Sequence, residues 1–259
     1  MAKILAVANQ KGGVGKTTTA VNLAACLAAM AYRTLLVDLD PQGNASSGVG
    51  VERESITRST YDVIFGHATA EDVITSTSVD GLDVLPAHTD LAAAEVELVD
   101  ARGRERMLRR ALEGVVSSYD YVIIDCPPSL SLLTVNALVT AESVLVPVQA
   151  EYYALEGLAR LLDTVELVRS RLNRRLRVEG FLLTMHDQRN NLARQVEGEV
   201  RAHFAEQTYT TVIPRNVRLS ESPSFGEPII VYDIGSKGAK SYLELAREFV
   251  ERDTTRAAS

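Results

Sequence analysis

The sequence contains no tryptophan and only two cysteines among its 259 residues. Cys26 and Cys126 lack the C-x-x-C spacing of a zinc site or a redox motif, so we expect no disulfide framework. This cysteine usage is typical of a protein of the reducing cytoplasm. No apolar run reaches the roughly 18 residues that a membrane-spanning helix requires, and the first residues do not have the pattern of a signal peptide.

A surplus of positive charge is also missing, since the formal net charge is −7. Residues 1–150 contain 11 Lys and Arg against 18 Asp and Glu, whereas residues 151–259 contain 16 of each sign. Salt confines the field of a charge to about 10 Å, so a local basic surface is compatible with this total. Tight binding of nucleic acid by a single subunit is nevertheless not expected.

A glycine-rich segment near the N-terminus has the context of a phosphate-binding loop. Residues 4–8 predict a buried strand, residues 19–31 predict an apolar helix, and KGGVGKTT lies between them at residues 11–18. Glycines let backbone N–H groups surround an anion, and the helix start adds its positive dipole. In such a loop Lys16 reaches the terminal phosphates and the Thr17 hydroxyl ligates Mg²⁺. The sequence therefore predicts that a nucleotide binds here with Mg²⁺.

Acidic residues follow two of the predicted strands. Asp38 and Asp40 lie at the end of the strand predicted at residues 33–39, and two residues apart they face the same side. Ligand sites of open parallel sheets lie beyond the carboxyl ends of the strands. The apolar run YVIID ends at Asp125 in the Walker B arrangement, whose carboxylate holds Mg²⁺, often through water.

Apolar strands alternate with helices along the rest of the chain. Further strands are predicted at residues 82–86, 144–148, 176–184 and 211–214, and helices at residues 61–65, 70–76, 90–100, 102–117, 151–170, 192–204 and 242–252. This pattern is typical of a parallel sheet covered on both faces. We expect one α/β domain over residues 1–252, with a doubly wound, mostly parallel sheet, and a frayed tail at residues 253–259.

Residues 45–118 carry no pattern that indicates chemistry. The helix predicted at residues 102–117 has five arginines, of which we interpret four as a solvated face: Arg104, Arg106, Arg109 and Arg110.

Four motifs together resemble one family. The loop has Gln10 where the common G-x-x-x-x-G-K-[ST] pattern has glycine, and it contains an additional lysine, Lys11. This K-G-G-V-G-K-T-T form resembles the deviant Walker A motif of the ParA/MinD family, within the SIMIBI class of P-loop NTPases. VDLDPQGN, YVIIDCPPS and IPRNVRLSESPSFG follow in family order. The whole looks like a partition ATPase of the ParA type.

The resemblance implies roles for individual residues. Lys11 would cross a dimer interface to the nucleotide of the other subunit, Asp40 would position the attacking water, and Asp38 would support Mg²⁺. The implied catalytic residues are Lys11, Lys16 and Asp40. The implied nucleotide-binding residues are Lys11, Gly12, Gly13, Val14, Gly15, Lys16, Thr17, Thr18, Pro214 and Asn216, the last two beside the adenine. The implied metal site comprises Thr17, Asp38 and Asp125, and the implied DNA-binding residues are Arg189 and Arg218.

The mechanism that the resemblance implies has three steps. ATP and Mg²⁺ bridge two identical subunits, the homodimer binds double-stranded DNA without reading its sequence, and hydrolysis dissolves it. A ParB-type centromere-binding protein would stimulate a weak intrinsic hydrolysis. The protein would segregate a chromosome or a plasmid, in the cytoplasm and on the nucleoid.

Three other functions share parts of this pattern. A MinD-like membrane-associated positioning ATPase needs a basic amphipathic C-terminal helix, whereas LELAREFVERDTTRAAS carries acids throughout. An iron–sulfur carrier needs cysteines at a dimer interface, where only one of Cys26 and Cys126 could lie. A DNA-binding module that ATP merely gates is distinguished by turnover with and without DNA and partner.

Overall fold

One seven-stranded sheet forms the centre of the molecule. The computed structural model describes residues 2–151, 154–187 and 189–257. The strands are β1 (Lys3–Val7), β2 (Thr34–Asp38), β3 (Thr75–Ser76), β4 (Leu82–Leu85), β5 (Tyr121–Asp125), β6 (Ser143–Gln149) and β7 (Arg177–Thr184). Their order is β3-β4-β2-β5-β1-β6-β7, and only the β3–β4 pair is antiparallel. The predicted mostly parallel α/β sheet is confirmed.

Helices cover both faces of this sheet. They are α1 (Lys16–Ala29), α2 (Asn44–Ser47), α3 (Thr60–Phe65), α4 (Ala70–Val73), α5 (Leu91–Glu97), α6 (Met107–Leu112), α7 (Leu132–Thr140), α8 (Ala154–Arg171), α9 (Asn191–Phe204), α10 (Val217–Glu221), α11 (Ile229–Tyr232) and α12 (Lys237–Ala257). Short 3₁₀ turns occupy Arg53–Ser55, Leu98–Asp100, Arg104–Arg106, Val116–Ser118, Ala205–Gln207 and Ser222–Phe225. None of the described helices combines the length and the apolar character that crossing a bilayer requires.

The sheet separates two hydrophobic cores, and successive side chains of β1 point alternately into one and the other. Leu5 and Val7 pack in one core with α1 and α12, whereas Ala6 points into the other, which includes residues of α7 and α8. A central strand buried on both faces needs apolar residues at every position. This is why the strands are continuous apolar runs in the sequence.

Three strand ends meet at one edge of the sheet. In the register, Asp125 at the end of β5 is opposite Val7 of β1 on one side and Asp38 of β2 on the other. The loop that leaves β1 therefore lies beside both carboxylates. The sheet topology brings the glycine-rich segment and the two acids together.

Three predicted elements differ from the structure. Residues 211–214 form only a single bridge, between His186 and Pro214, in which Ile213 and Arg215 make the backbone hydrogen bonds to Leu183 and His186. The helix predicted at residues 70–76 ends at Val73, and the β-branched residues that follow lead into β3. The helix predicted at residues 102–117 is regular only in α6, and Gly103 precedes it with a φ of +67°.

The C-terminal residues also differ from expectation. We predicted that the chain frays after Arg252, but α12 continues to Ala257. Asp253 pairs with Lys3 at 2.7 Å, and Arg256 pairs with Glu179, so these residues attach the last turns to β1 and β7. Residues 258–259 lie outside the described residues, as do residues 152–153 of the helix predicted to begin at residue 151.

Candidate nucleotide-binding site

Hydrogen bonds of Asn9 fix the start of the loop between β1 and α1. The Asn9 amide donates a hydrogen bond to the Pro147 carbonyl at 2.7 Å, and its Oδ1 accepts one from the Lys11 N–H at 3.0 Å. Gly13 and Gly15 have φ values of +74° and +82°, which favour glycine. Gly15 caps α1 without any side-chain hydrogen bond. The first amides of α1 are therefore free to bind an anion.

Lys16 is a buried ammonium inside this loop. Its side chain is only 6% exposed, and its Nζ donates to the Lys11 carbonyl at 3.0 Å. Burial lowers the pKa of Lys16, while the negative charges of Asp125 and Asp40 oppose that shift. Among the described residues no carboxylate forms an ion pair with Lys16. An ammonium held only by a neutral carbonyl is well placed to bind a phosphate.

Asp125 is a buried carboxylate that lacks a partner. It is fully buried, and neither oxygen accepts a hydrogen bond of acceptable geometry within the described part of the chain. Burial raises the pKa of Asp125 well above its usual value, and Asp38 raises it further. The nearby Thr17 hydroxyl and Lys16 act in the opposite direction. An unpartnered carboxylate in the interior is costly, so its position indicates a site for a cation.

The donor set around Asp125 fits Mg²⁺. The described residues contain no group of three His, Cys, Asp or Glu side chains that could hold a metal ion alone. In nucleotide sites Mg²⁺ needs no such group, because phosphate oxygens and water complete its octahedron. The Thr17 hydroxyl and the Asp125 carboxylate supply the hard oxygen ligands that such an ion takes from the protein.

Asp38 and Asp40 have different surroundings. Asp38 Oδ2 accepts hydrogen bonds from the N–H and the hydroxyl of Ser46, at 2.8 and 2.7 Å, and its Oδ1 accepts one from the Asp40 N–H at 3.2 Å. Burial raises the pKa of Asp38 to about 6, against the effect of these bonds. Asp38 thus anchors the start of α2 to the end of β2. Asp40 accepts a hydrogen bond from the Gln42 N–H at 2.9 Å and faces the cleft.

A cleft of about 490 Å³ lies over the loop. Most of the implied nucleotide-binding residues line it, namely Gly12, Gly13, Gly15, Lys16, Thr17, Thr18, Pro214 and Asn216, together with Asp40. Val14 is buried beneath the loop instead, and its carbonyl accepts a hydrogen bond from the Thr184 hydroxyl at 2.9 Å. Asn216 uses its Oδ1 to cap α10. Its side-chain amide remains available for a ligand.

Other residues of the cleft were missed by the sequence analysis. They are Gln42, Asn44, Pro128, Thr184, Met185, Ile213, Arg215, Leu219, Ser220 and Tyr242. Seven of them lie within VDLDPQGN, YVIIDCPPS and IPRNVRLSESPSFG, so these motifs carried the signal although no role was assigned to the residues. Thr184 and Tyr242 lie in no sequence motif that would indicate a role in the site. β7 and α12 bring them to the loop, where the Tyr242 hydroxyl lies 3.2 Å from the Thr19 hydroxyl.

Lys11 is directed away from the cleft of its own chain. Its Nζ forms an ion pair of 2.5 Å with Glu151, and its side chain is 34% exposed. Lys11 is not among the residues that line the cleft. The two lysines of the loop therefore have different environments, one inside the site and one outside it.

The two arginines implied to bind DNA lie on separate surface features. Arg189 lines a groove of about 700 Å³ together with Arg215, Lys237 and Lys240. Arg218 lies on α10, where it pairs with Glu221 at 3.0 Å and with Asp233 at 3.4 Å. Both side chains are accessible, but DNA would have to compete with two carboxylates for Arg218.

Sequence comparisons match nearly the whole chain to chromosome-partitioning proteins. Residues 2–178 match the family model described as an AAA domain. Sporulation initiation inhibitor protein Soj of Bacillus subtilis is 59% identical over 248 residues, which cover 96% of this chain and 98% of that protein. Chromosome partitioning protein ParA of Myxococcus xanthus is 55% identical, and the match covers 98% of this chain and 90% of that protein.

Solved structures with the same fold include nucleotide-bound proteins. Cobyrinic acid a,c-diamide synthase from Mycobacterium smegmatis, with bound ADP and magnesium, superimposes with a TM-score of 0.86 at 37% identity, covering 98% of this chain and 96% of that one. The cell division ATPase MinD of Pyrococcus furiosus gives a TM-score of 0.79 at 27% identity, covering 97% and 99%.

Proposed function

The chain belongs to the Soj/ParA family of chromosome-partitioning ATPases, and we propose that it hydrolyses ATP with Mg²⁺ to switch a DNA-binding homodimer on and off. The observation that carries this proposal is the phosphate loop, in which Lys16 and Asp125 are buried without a partner of opposite charge in contact. A triphosphate and its metal supply both missing charges. Relatives with bound ADP and magnesium support the same ligands.

Different residues of the cleft bind different parts of the nucleotide and its metal ion. The amides of residues 12–17 and the Lys16 ammonium bind the phosphates, and Thr17 and Asp125 hold Mg²⁺, directly or through water. Bound Mg²⁺ neutralises charge that develops on the phosphate oxygens. Pro214 and Asn216 border the base. Asp38 keeps α2 and the segment that carries Asp40 in place through Ser46.

Hydrolysis requires a water molecule in line with the terminal phosphate. Asp40 lines the cleft on the side of α2 and is the residue that we assign to orient this water. Within the described residues no histidine lines the cleft to act as an additional base. We therefore propose a weak intrinsic ATPase that a ParB-type partner stimulates.

Lys11 links nucleotide binding to dimerisation. Because Lys11 lies outside its own cleft and is partly exposed, it can reach the phosphates of a second subunit placed against the same edge of the sheet. It must first leave Glu151. ATP would thus be bound between two subunits, and loss of the terminal phosphate would release them.

Dimerisation would also create the DNA-binding surface. In a single subunit the assigned phosphate contacts are two, Arg189 and Arg218, and two contacts alone would bind DNA weakly. Each phosphate contact releases counterions, so doubling the contacts raises both the affinity and its dependence on salt. We propose that the ATP-bound dimer binds double-stranded DNA without sequence preference on the nucleoid and segregates a chromosome or a plasmid.

The arrangement of α12 favours this function over membrane association. Asp253 binds Lys3 of β1, and Arg256 binds Glu179 of β7. These pairs, together with buried Phe249, fix the helix against the sheet. Sedimentation with anionic liposomes and ATP tests the alternative, which predicts that the protein pellets with the lipid.

The principal experiment measures molar mass by light scattering after size-exclusion chromatography. We expect a monomer with ADP and a dimer with ATP, and a more persistent dimer for Asp40→Ala, which binds ATP without hydrolysing it. Lys11→Ala should bind nucleotide and remain monomeric. A wild-type monomer with ATP under all conditions would contradict the proposal.

DNA binding is tested with a matched pair of variants. Arg218→Glu should dimerise but fail to bind DNA at moderate salt, and the slope of log affinity against log salt should fall by about 1 for each DNA phosphate that the variant no longer neutralises. Arg169→Glu is the control, since Arg169 is equally exposed and also pairs with a glutamate three residues away. Equally weakened DNA binding by both variants would show that only net charge matters.

A further inference from the structure

A second hollow, of about 690 Å³, lies at the amino edge of the sheet, opposite the nucleotide cleft. It is enclosed by α6, the start of β1, and the turns that lead into β6 and β7. We call it the basal cavity. It is defined by apolar Ile4 and Leu112 and by four arginines, Arg106, Arg109, Arg110 and Arg175.

Buried contacts fix the shape of the basal cavity. Leu112 is fully buried, and Asn173, which also lines the cavity, is 9% exposed. The Asn173 amide donates hydrogen bonds to the carbonyls of Leu138 and Ala141, at 3.0 and 2.7 Å. These bonds join the turn before β7 to the turn before β6. The floor is therefore part of the packed core, whereas the arginines at the rim are exposed.

Several surface arginines of this chain are paired with carboxylates, whereas in the part of the chain that the structure describes those at the rim of the basal cavity are not. Arg169, Arg201 and Arg218 each form an ion pair with a nearby glutamate. Within the described residues the four arginines of the basal cavity have no such pair, although Glu113 and Glu142 also line the cavity. A protein of net charge −7 thus concentrates unpaired positive charge around an apolar hollow.

The rim arginines and the apolar floor together indicate which kind of ligand the basal cavity binds. Arginine binds carboxylates in a bidentate geometry. For the long-range attraction of negative charge it has little advantage over lysine. An apolar floor adds affinity only when an apolar side chain enters it. Duplex DNA presents phosphates and sugars at its surface and has no such side chain to insert. We infer that the basal cavity binds a short acidic peptide segment of another protein, with one apolar side chain of that segment seated against Ile4 on the apolar floor.

Selection from a random peptide library tests this inference without a known partner. The full chain with ADP is panned with phage-displayed peptides, and so is the variant Arg109→Glu/Arg110→Glu. Wild type should enrich peptides in which acidic residues flank an apolar one. The enriched peptide should bind the variant at least about tenfold more weakly, as expected when two charge-assisted hydrogen-bonding partners are removed.

Two controls separate the cavity from general charge and from folding. Arg102→Glu/Arg174→Glu changes two exposed arginines that do not line the cavity, and it should retain the peptide. Both double variants should bind ADP like wild type, because the nucleotide cleft lies at the other edge of the sheet. Melting temperatures confirm that they fold.

Methyl NMR locates the peptide directly. Addition of the enriched peptide should shift the methyl signals of Ile4 and Leu112 and leave those of Leu219, at the nucleotide cleft, unchanged. The inference is overturned if no acidic motif is enriched, if both double variants bind the peptide equally, or if the shifts occur elsewhere. It is also overturned if duplex DNA produces the same shifts at Ile4 and Leu112.

Discussion

Both ends of the sheet bury charged side chains. At the amino end these side chains form ion pairs, whereas at the carboxyl end they have no partner of opposite charge in contact within the described part of the chain. At the amino end, Lys3 lies 3.1 Å from Glu179 and 2.7 Å from Asp253. Burial alone would raise the pKa of Glu179, but Lys3 and Arg256 outweigh it, so the pKa is lowered. At the carboxyl end, Asp125 has no partner among the described residues and its pKa is raised, and the pKa of Asp38 is raised to about 6.

The difference separates a structural charge cluster from a binding site. A buried ion pair satisfies its own desolvation cost within the fold, and removing one partner is strongly destabilising. A buried charge without a partner weakens the ligand-free fold and is compensated only when a ligand arrives. The carboxyl end therefore binds a ligand, whereas the amino end holds α12 to the sheet. Four predictions test this contrast, in order of decreasing effect.

Lys16→Ala should reduce ATP and ADP affinity by about a thousandfold, since the variant has no buried ammonium to bind the phosphates. Titration calorimetry measures the affinities. Lys11→Ala is the control from the same loop and should retain affinity for ADP. Unchanged affinity in Lys16→Ala would contradict the assignment of the phosphate loop.

Glu179→Gln should lower the free energy of unfolding by about 3 kcal/mol, because Lys3 and Arg256 lose their buried counter-charge. Urea denaturation measures the change. Glu166→Gln removes the exposed partner of Arg169 and should change stability by less than about 1 kcal/mol. Similar values for both variants would show that the amino-end cluster contributes no more than a surface pair.

Asp125→Asn should have the opposite sign and raise the free energy of unfolding of the nucleotide-free protein. The raised pKa of the neighbouring Asp38, from 3.8 to about 6, indicates a cost of about 3 kcal/mol for that carboxylate. Asp125 is equally buried, so removing its charge should relieve a cost of similar order, and we expect a gain of about 2 kcal/mol. The same variant should lose Mg²⁺-dependent ATP hydrolysis. A destabilised Asp125→Asn would refute the contrast between the two ends.

The stability gain of Asp125→Asn should depend on pH. A carboxyl whose pKa is raised by folding binds its proton more tightly in the folded state, so the cost is absent below the unfolded value near 3.8 and grows as pH rises. The difference between the variant and wild type should thus be small near pH 4 and increase as the pH rises above it. Urea denaturation at several pH values measures it. A difference that is independent of pH would show that packing, not charge, separates the two proteins.

The phosphate loop and the sheet could be predicted because their signals are local. A loop that surrounds phosphate uses consecutive backbone amides and the start of one helix, so residues 11–18 contain the whole pattern. Buried parallel strands are continuous apolar runs, and β1, β2 and β5 appear at the predicted places. The boundaries of α6 and α12 could not be predicted, since Gly103 and the ion pairs of Asp253 and Arg256 decide them.

Composition and spacing alone thus predicted the chemistry of this chain, namely a phosphate loop followed by acids at the ends of strands. Tertiary structure decided which charges are paired, because pairing depends on distances between residues far apart in the chain. Lys11 meets Glu151 across 140 positions, and Lys3 meets Glu179 across the sheet. The sequence indicates only a solvated face for Arg109 and Arg110, whereas the tertiary structure brings them together with Ile4 of β1 and Arg175 of the turn before β7 around one cavity.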